Sequence, residues 1–457
     1  MTYGAIALIP PAVVIILAIK QKTSFEPLLI GSLIGYAIIG YYTKTNFFTN
    51  FVDSFKTVMG KDDSVWVILV CGLYGSLIGL MVRSGGTLKF GEWALKYIKT
   101  QRGALMGAWF LGLFIFLDDY LSALTVGISM RKITDAFKIP REKLAYIVNT
   151  TAPPWSVIAP ISTWTIFIGN ILETSHVAKK GEGLLTYWKM IPYATYGYVS
   201  VLLIPLFIYG IFPWFGLIKK ADKRVLETGK LTPNDYNETA PLDVSAMNPD
   251  KQPKMIYFLL PILVLLVATI FFDIDALKGV MVAVAFTFIY YMLIKLGTFK
   301  QLSETMFGGF NSMLYALAIL MMTYVLKDVN DKMGLTQYVL HSASPYLNRE
   351  FLPVIVFVSL SFISITTGSS WGLYAIAIPL VVPLAQHFHS SVLLNCGAVV
   401  SAGVFGANAC LYSDATVLTG QSTEITNLEH GLSQLPYAAI AFAFSAVIYT
   451  IMGFVIH

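Results

Sequence analysis

Phe116-Leu117-Asp118-Asp119-Tyr120-Leu121-Ser122-Ala123-Leu124 sets two adjacent carboxylates inside an apolar run that begins at Leu111. Ionisable groups within a bilayer are costly, so such a pair is read first as an ion or proton site. The rest of the chain agrees with a membrane setting. Of 457 residues, 56% are hydrophobic and 12% are charged, against roughly 25% charged in soluble domains. Apolar stretches of about 20 residues, each able to cross a hydrocarbon core about 30 Å thick, recur along nearly the whole length. They lack the alternation of barrel strands, which predicts an all-α polytopic membrane protein.

The first stretch, 3–19, has no basic leader and no cleavage site and is expected to be retained as a helix. The net charge of +5 falls in loops and helix ends, giving no support to nucleic-acid binding. Cys71, Cys396 and Cys410 have no metal-ligand spacing and read as small buried residues. None of His176, His341, His387, His389, His430 and His457 is expected inside the core, which disfavours a histidine proton relay. Phosphate-loop and Ser-His-Asp signatures are missing, so neither ATP drive nor enzymatic chemistry is indicated, and no cofactor is implied.

Helices are expected at 3–19, 25–42, 64–82, 103–117, 119–135, 142–158, 160–175 and 190–212, then at 255–272, 276–295, 311–328, 351–366, 370–386, 392–406, 412–425 and 433–455. The polar stretch 219–254, with Gly229, Pro233, Pro241, Pro249 and Pro253, reads as a cytoplasmic linker between transmembrane repeats 1–218 and 255–457. The halves are alike: Met59-Gly60 matches Met306-Phe307-Gly308, 150–169 falls over 402–420, and Phe116 to Ser122 falls over Ile365 to Trp371. That register lays Asp118 on Thr367.

Basic residues decide the sidedness. If 103–117 and 119–135 form a re-entrant hairpin, Lys20, Lys22 and the groups 83–102, 131–143 and 219–230 share one side, as the positive-inside rule favours. Each half then holds about five transmembrane helices, one hairpin and one discontinuous helix. The repeats are then expected to be inverted, with both termini external, whereas six single crossings per half would make them parallel. The segments 47–59 and 299–307 are expected as interfacial helices.

Both hairpin tips are polar, with Asp118, Asp119 and Ser122 on one and Thr366, Thr367, Gly368, Ser369 and Ser370 on the other. A helix broken within the membrane frees N–H and C=O groups that serve ion and substrate sites. Neighbouring residues on a helix diverge by about 100°. One aspartate is therefore expected to face the ion while the other pairs with a hydroxyl, a backbone N–H or a basic group. Na+ and H+ competing for the same oxygens would couple their fluxes. The alternative is an acidic pair that only stabilises the tip.

The second breaks supply more oxygens. Pro153, Pro154 and Pro160 interrupt one helix beside Thr150, Thr151, Ser156, Ser162 and Thr163. Asn408, Tyr412, Ser413, Asp414 and Thr416 surround the other, where Asp414 is the one acidic residue. Asp118, Asp119 and Asp414 are the candidates for cation and proton coupling. Asp118, Asp119, Thr151, Ser369 and Asp414 are the candidate Na+ ligands. Asn149 and Asn395 occupy similar places before the breaks, as substrate groups or as helix-joining asparagines. Trp155, Trp164 and Trp371 read as packing residues or cavity walls, and Arg83 as a positive-inside anchor.

Several motifs carry a resemblance. Asp118 through Gly127, Pro140-Arg141-Glu142-Lys143-Leu144-Ala145-Tyr146, Thr151-Ala152-Pro153-Pro154, Pro160-Ile161-Ser162-Thr163-Trp164, Thr367-Gly368-Ser369-Ser370-Trp371-Gly372 and Ser413-Asp414-Ala415-Thr416 are similar to the NhaC-type sodium/proton antiporter family, which includes exchangers of malate and lactate. The resemblance implies secondary transport with Na+ and H+ as coupling ions. One departure is notable: where the family carries Gly-Asp-Asn-Cys-Ser-Pro, this chain has Gly406-Ala407-Asn408-Ala409-Cys410-Leu411, followed by Tyr412. The lost carboxylate and added aromatic ring favour an altered substrate site.

The expected function is a sodium-coupled antiporter of the cytoplasmic (inner) membrane, with Na+/H+ exchange as the leading reaction. Exchange or uptake of a small organic acid or amino acid is the alternative. The expected partners are the lipid bilayer and a second copy in a homodimer.

Overall fold

Breaks at proline, glycine and capping residues divide several of the apolar runs into shorter helices. The computed structural model describes residues 3–21, 25–116, 118–233, 251–343 and 347–456. The first half contains α1 (Ile9–Gln21), α2 (Phe25–Thr43), α3 (Phe47–Met59), α4 (Asp62–Arg83), α5 (Gly86–Tyr97), α6 (Gln101–Phe114), α7 (Asp119–Ala136), α8 (Arg141–Thr151), α9 (Pro153–Ile158), α10 (Thr163–Thr174), α11 (Gly183–Met190), α12 (Thr195–Tyr209) and α13 (Gly216–Thr228). The second contains α14 (Ile256–Phe271), α15 (Ala276–Leu293), α16 (Phe299–Ser312), α17 (Leu314–Met333), α18 (Leu335–Ala343), α19 (Leu352–Thr367), α20 (Ser370–His387), α21 (Val392–Ala409), α22 (Asp414–Thr423) and α23 (Asn427–Val455). No strand occurs among the described residues.

Six helical spans are long and apolar enough to cross a membrane, or eight if each of two bent pairs counts as one, among the described residues. One bent pair, 141–158 with 163–174, turns by 42° at the break expected around Pro153 to Pro160. The other, 183–193 with 195–209, turns by 54° where a single crossing over 190–212 was expected. The α6 helix has 14 residues and is about 21 Å long at 1.5 Å per residue, short of the hydrocarbon core. Gln101 Nε2 at its start donates to the Phe137 carbonyl just beyond α7, at 2.9 Å. The chain therefore enters on α6, turns at Asp118 and returns to the same level on α7.

Four helices of the first half have counterparts that begin 251 positions later: α6 and α19 at Gln101 and Leu352, α7 and α20 at Asp119 and Ser370, α8 and α21 at Arg141 and Val392, and α10 and α22 at Thr163 and Asp414. This spacing lays Asp118 on Ser369 rather than on Thr367, two residues from the sequence register. The N-caps explain the offset. Asp118 accepts the Leu121 N–H, and Ser369 accepts the Gly372 N–H, each three residues ahead.

Small residues set the closest helix contacts, as expected where packing rather than hydrophobicity joins helices. A Cβ on Gly309 of α16 would lie 2.2 Å from the Gly75 carbonyl oxygen of α4. The expected interfacial segment 299–307 is thus the first part of a longer helix packed on α4, started by a Thr298–Gln301 capping box. The expected linker 219–254 also begins as structure, because α13 docks onto α8. Arg224 donates to both carboxylate oxygens of buried Glu142 at 2.7 and 3.0 Å, and Lys143 pairs with Asp222 at 2.6 Å. Part of that linker, including Pro241 and Pro249, lies outside the described residues.

Candidate ion and substrate site

Asp118 is the N-cap of α7, with extended backbone and one oxygen committed to the Leu121 N–H at 2.9 Å. Its other oxygen accepts the Thr163 hydroxyl at 3.2 Å. Thr163 opens α10, where Ser162 caps the helix by accepting the Thr165 N–H. The first hairpin tip is thereby tied to the first broken helix. Asp119, one position on, accepts the Trp164 indole N–H at 2.9 Å, and its second oxygen has no hydrogen-bond partner.

The second half enters through Asp414. One of its oxygens accepts its neighbour's N–H, from Ala415 at 2.8 Å, and the other accepts the Tyr120 hydroxyl at 2.6 Å. Ser413 caps α22 by accepting the Thr416 N–H and donates to the Ala407 carbonyl, while Thr416 donates to the Cys410 carbonyl. The first half repeats this chemistry 251 positions earlier: Ser162 donates to the Ser156 carbonyl and Thr165 to the Ala159 carbonyl. Asp118, Asp119 and Asp414 are 0%, 1% and 4% exposed. No basic group forms an ion pair with these three among the described residues. No group of three His, Cys, Asp or Glu is arranged to chelate a metal there either.

The other sequence candidates divide between this centre and its supports. Ser122 and Ser156 are buried, each with an unpartnered hydroxyl oxygen. Ser369 faces the cavity described below, and Ser370 donates to the Gly403 carbonyl at 2.8 Å. Thr151 lies against Gly112 of α6 and donates to the Ile147 carbonyl, with no hydrogen bond to the carboxylates among the described residues. Thr367 turns back toward the Ser364 carbonyl. Gly368 adopts φ +68°, a left-handed turn suited to glycine. Tyr412 packs its ring beside Gly368 and donates to the Thr366 carbonyl at 3.0 Å, bracing the second tip.

Two sequence readings need correction. His430 is fully buried, because α23 begins at Asn427 under a Thr426 cap, six residues before the expected start. Its Nε2 lies 3.0 Å from Asn149 Nδ2, and Asn408 Nδ2 donates to the Asn149 carbonyl at 3.1 Å. Asn149 and Asn395 are not alike: Asn395 binds Ser390 and Ser391 at the start of α21, far in sequence from its break. Arg83 donates to Thr305 at 2.8 Å and so joins α4 to α16.

A cavity of about 370 Å³ opens beside Tyr120. Its lining includes Trp66, Phe167, Lys327, Ser369 and Trp371. Trp371 stacks on Trp164 with ring centroids 4.4 Å apart, so one indole faces the cavity while its neighbour holds Asp119. Trp155 braces α6 instead, donating to the Leu113 carbonyl at 2.7 Å. Sequence reasoning missed Lys327 and Asp328 of the lining. Their signal was a charged pair at the end of an apolar run, in register with Asp331 and Lys332 four residues on.

An uncharacterized protein of Haemophilus influenzae is 29% identical over 98% of this chain and 91% of its own length. The malate-2H+/Na+-lactate antiporter of Bacillus subtilis is 24% identical over 162 residues, 35% of each chain. The crystal structure of the Alcanivorax borkumensis YdaH transporter covers 89% of this chain and 87% of its own at 12% identity, with a TM-score of 0.44, a level that does not establish a shared fold. The sequence profile of the Na+/H+ antiporter family matches residues 185–454, more than half of the chain. This multi-pass membrane protein belongs to the Na+/H+ antiporter family and is a secondary-active transporter.

Proposed function

We propose that the chain exchanges Na+ for H+ across the cytoplasmic (inner) membrane by alternating access, with Asp118, Asp119 and Asp414 as the coupling groups. The observation that carries this reading is the buried carboxylate cluster drawn from both halves and joined through Tyr120. Asp119 keeps one oxygen unpartnered, available to a proton or to Na+. Asp118 is held in place by its cap and by Thr163. Ser369 and neutral oxygens at the two breaks complete the Na+ shell. Binding of one ion displaces the other from shared oxygens, which couples their fluxes.

The 251-residue recurrence of helix starts and caps supports two repeats, 1–218 and 255–457, joined through 219–254. A repeat of five crossings plus a hairpin is inverted relative to its copy, which places both termini outside and the basic loops inside. Inverted repeats permit two exchanged conformations around one fixed site. Reconstituted vesicles test the reaction: an imposed Na+ gradient is expected to drive opposing proton movement, read with a trapped pH dye. A second reading, coupled transport of a small organic acid or amino acid, is supported by the cavity at Tyr120. The exchange reading fails if purified protein moves no protons in response to Na+.

A further inference from the structure

We infer that the cavity beside Tyr120 binds an organic monocarboxylate with a flat apolar body, its carboxylate at Lys327 and its body against Trp371. The inference rests on the second reading above and names its substrate class. Cation exchange leaves the size of the cavity unexplained. Its volume of about 370 Å³ falls among small-molecule sites, roughly 300–1,000 Å³, and exceeds by far the roughly 30 Å³ share of one water. Five of its fourteen lining residues are aromatic, among them Trp66, Phe167 and Trp371. Such walls suit a flat apolar body better than a hydrated ion.

Charge selects the polar end of the ligand. Two lysines, Lys61 and Lys327, line the cavity with one acidic residue, Asp328. Asp328 is neutralised by Lys332, whose Nζ lies 2.8 Å from Oδ2, and the same oxygen accepts from Tyr36 and Ser54. Lys327 pairs with Asp331 at 3.0 Å, yet both side chains are partly exposed, at 25% and 32%. An ammonium has three donors, so this wet pair leaves capacity for a ligand carboxylate.

The backbone makes room for that arrangement. A Cβ at Gly372 would lie 1.8 Å from Lys327 Cε and 2.8 Å from its Nζ. Glycine therefore lets the lysine lie against the first turn of α20. Ser369 caps the same turn and also lines the cavity. The positive end of α20 adds to the lysine charge at that point.

Isothermal titration of the full-length protein in nanodiscs tests the assignment with three probes: phenylacetate, phenethylamine and acetate. Phenylacetate is expected to bind at least about tenfold more tightly than either of the others, a difference of about 1.4 kcal/mol. Lys327→Gln should weaken phenylacetate at least tenfold, while Lys327→Arg retains binding. If Lys327→Gln does not assemble, Gly372→Ala displaces the lysine stem with its charge kept and should also weaken phenylacetate. Preference for phenethylamine, equal binding of acetate, or unaltered binding in the assembled variants overturns the inference. Wild-type vesicles separate the two readings. Na+-driven proton flux without phenylacetate binding removes the inference and leaves exchange intact, whereas binding without flux supports the inference and removes exchange.

Discussion

Tyr120 Oη lies 2.6 Å from Asp414 Oδ2, so a phenol at the first hairpin tip donates to a carboxylate at the second helix break. Residues 294 positions apart in sequence share a proton-bearing contact at the centre of the protein. Hydrogen bonds to charged groups contribute roughly 1.5–3 kcal/mol, and a carboxylate left without its donor pays the desolvation penalty. Tyr120→Phe is therefore expected to lower the thermal unfolding midpoint and to slow Na+-driven proton flux. Wild-type values of both would show that the contact matters to neither folding nor transport.

Asp118 and Asp119 are separable by chemistry. Asp118→Asn keeps a side-chain oxygen that can cap α7, whereas Asp118→Ala removes the cap at a cost of about 1 kcal/mol. Both Asp118→Asn and Asp119→Asn should assemble and lose the Na+ dependence of proton flux. Asp118→Ala should in addition unfold at lower temperature than Asp118→Asn. Unchanged Na+ dependence in both asparagine variants would remove the pair from coupling.

The contact between α13 and α8 depends on the two-pronged Arg224–Glu142 pair. Glu142 is 5% exposed and Arg224 is 20% exposed, so loss of the arginine leaves a largely buried carboxylate. Arg224→Ala is expected to cost roughly 1.5–3 kcal/mol and to raise proteolysis within 216–233. The charge exchange Glu142→Arg with Arg224→Glu should restore part of the protection. Protection equal to wild type in Arg224→Ala would assign the docking to the apolar face of α13 alone.

Glu424 ends α22 at φ +54°, a left-handed conformation that costs a side-chain-bearing residue roughly 1–2 kcal/mol. It pairs with Arg131 at 2.6 Å and Arg141 at 3.6 Å, but the carboxylate is 43% exposed. Exposed pairs contribute roughly 0–1 kcal/mol each, so relief of strain and loss of pairing nearly cancel in Glu424→Gly. That variant should match wild-type stability within about 1 kcal/mol, while Glu424→Ala loses the pairs, keeps the strain and falls below it. Thermal denaturation in one detergent ranks the three; an alanine variant as stable as the glycine variant would contradict the strain argument.

Much of the fold is legible in the residues because its determinants are local. The polar interruptions at Asp118-Asp119, Pro153 to Pro160 and Ser369 mark helix ends, since capping and proline chemistry act within a few positions. The helices α5, α11, α13 and α18 are not legible in the same way. Each has 13 residues or fewer, below the span of about 20 that a hydropathy reading recognises. The two-residue slip between hairpins arises because similar polar letters can be laid together in more than one register, whereas the caps Asp118 and Ser369 admit one.

Composition and spacing establish a membrane transporter with paired breaks, because the cost of burying charge and of breaking a helix in lipid is written into each segment. They also nominate Asp118, Asp119 and Asp414 one by one. That Tyr120 joins Asp414, that Trp164 turns toward Asp119 and stacks on Trp371, and that Lys327 enters the same cavity follow from packing between helices separated in sequence. Those contacts depend on crossing angles and close glycine approaches between distant segments, which have no signature within either segment alone.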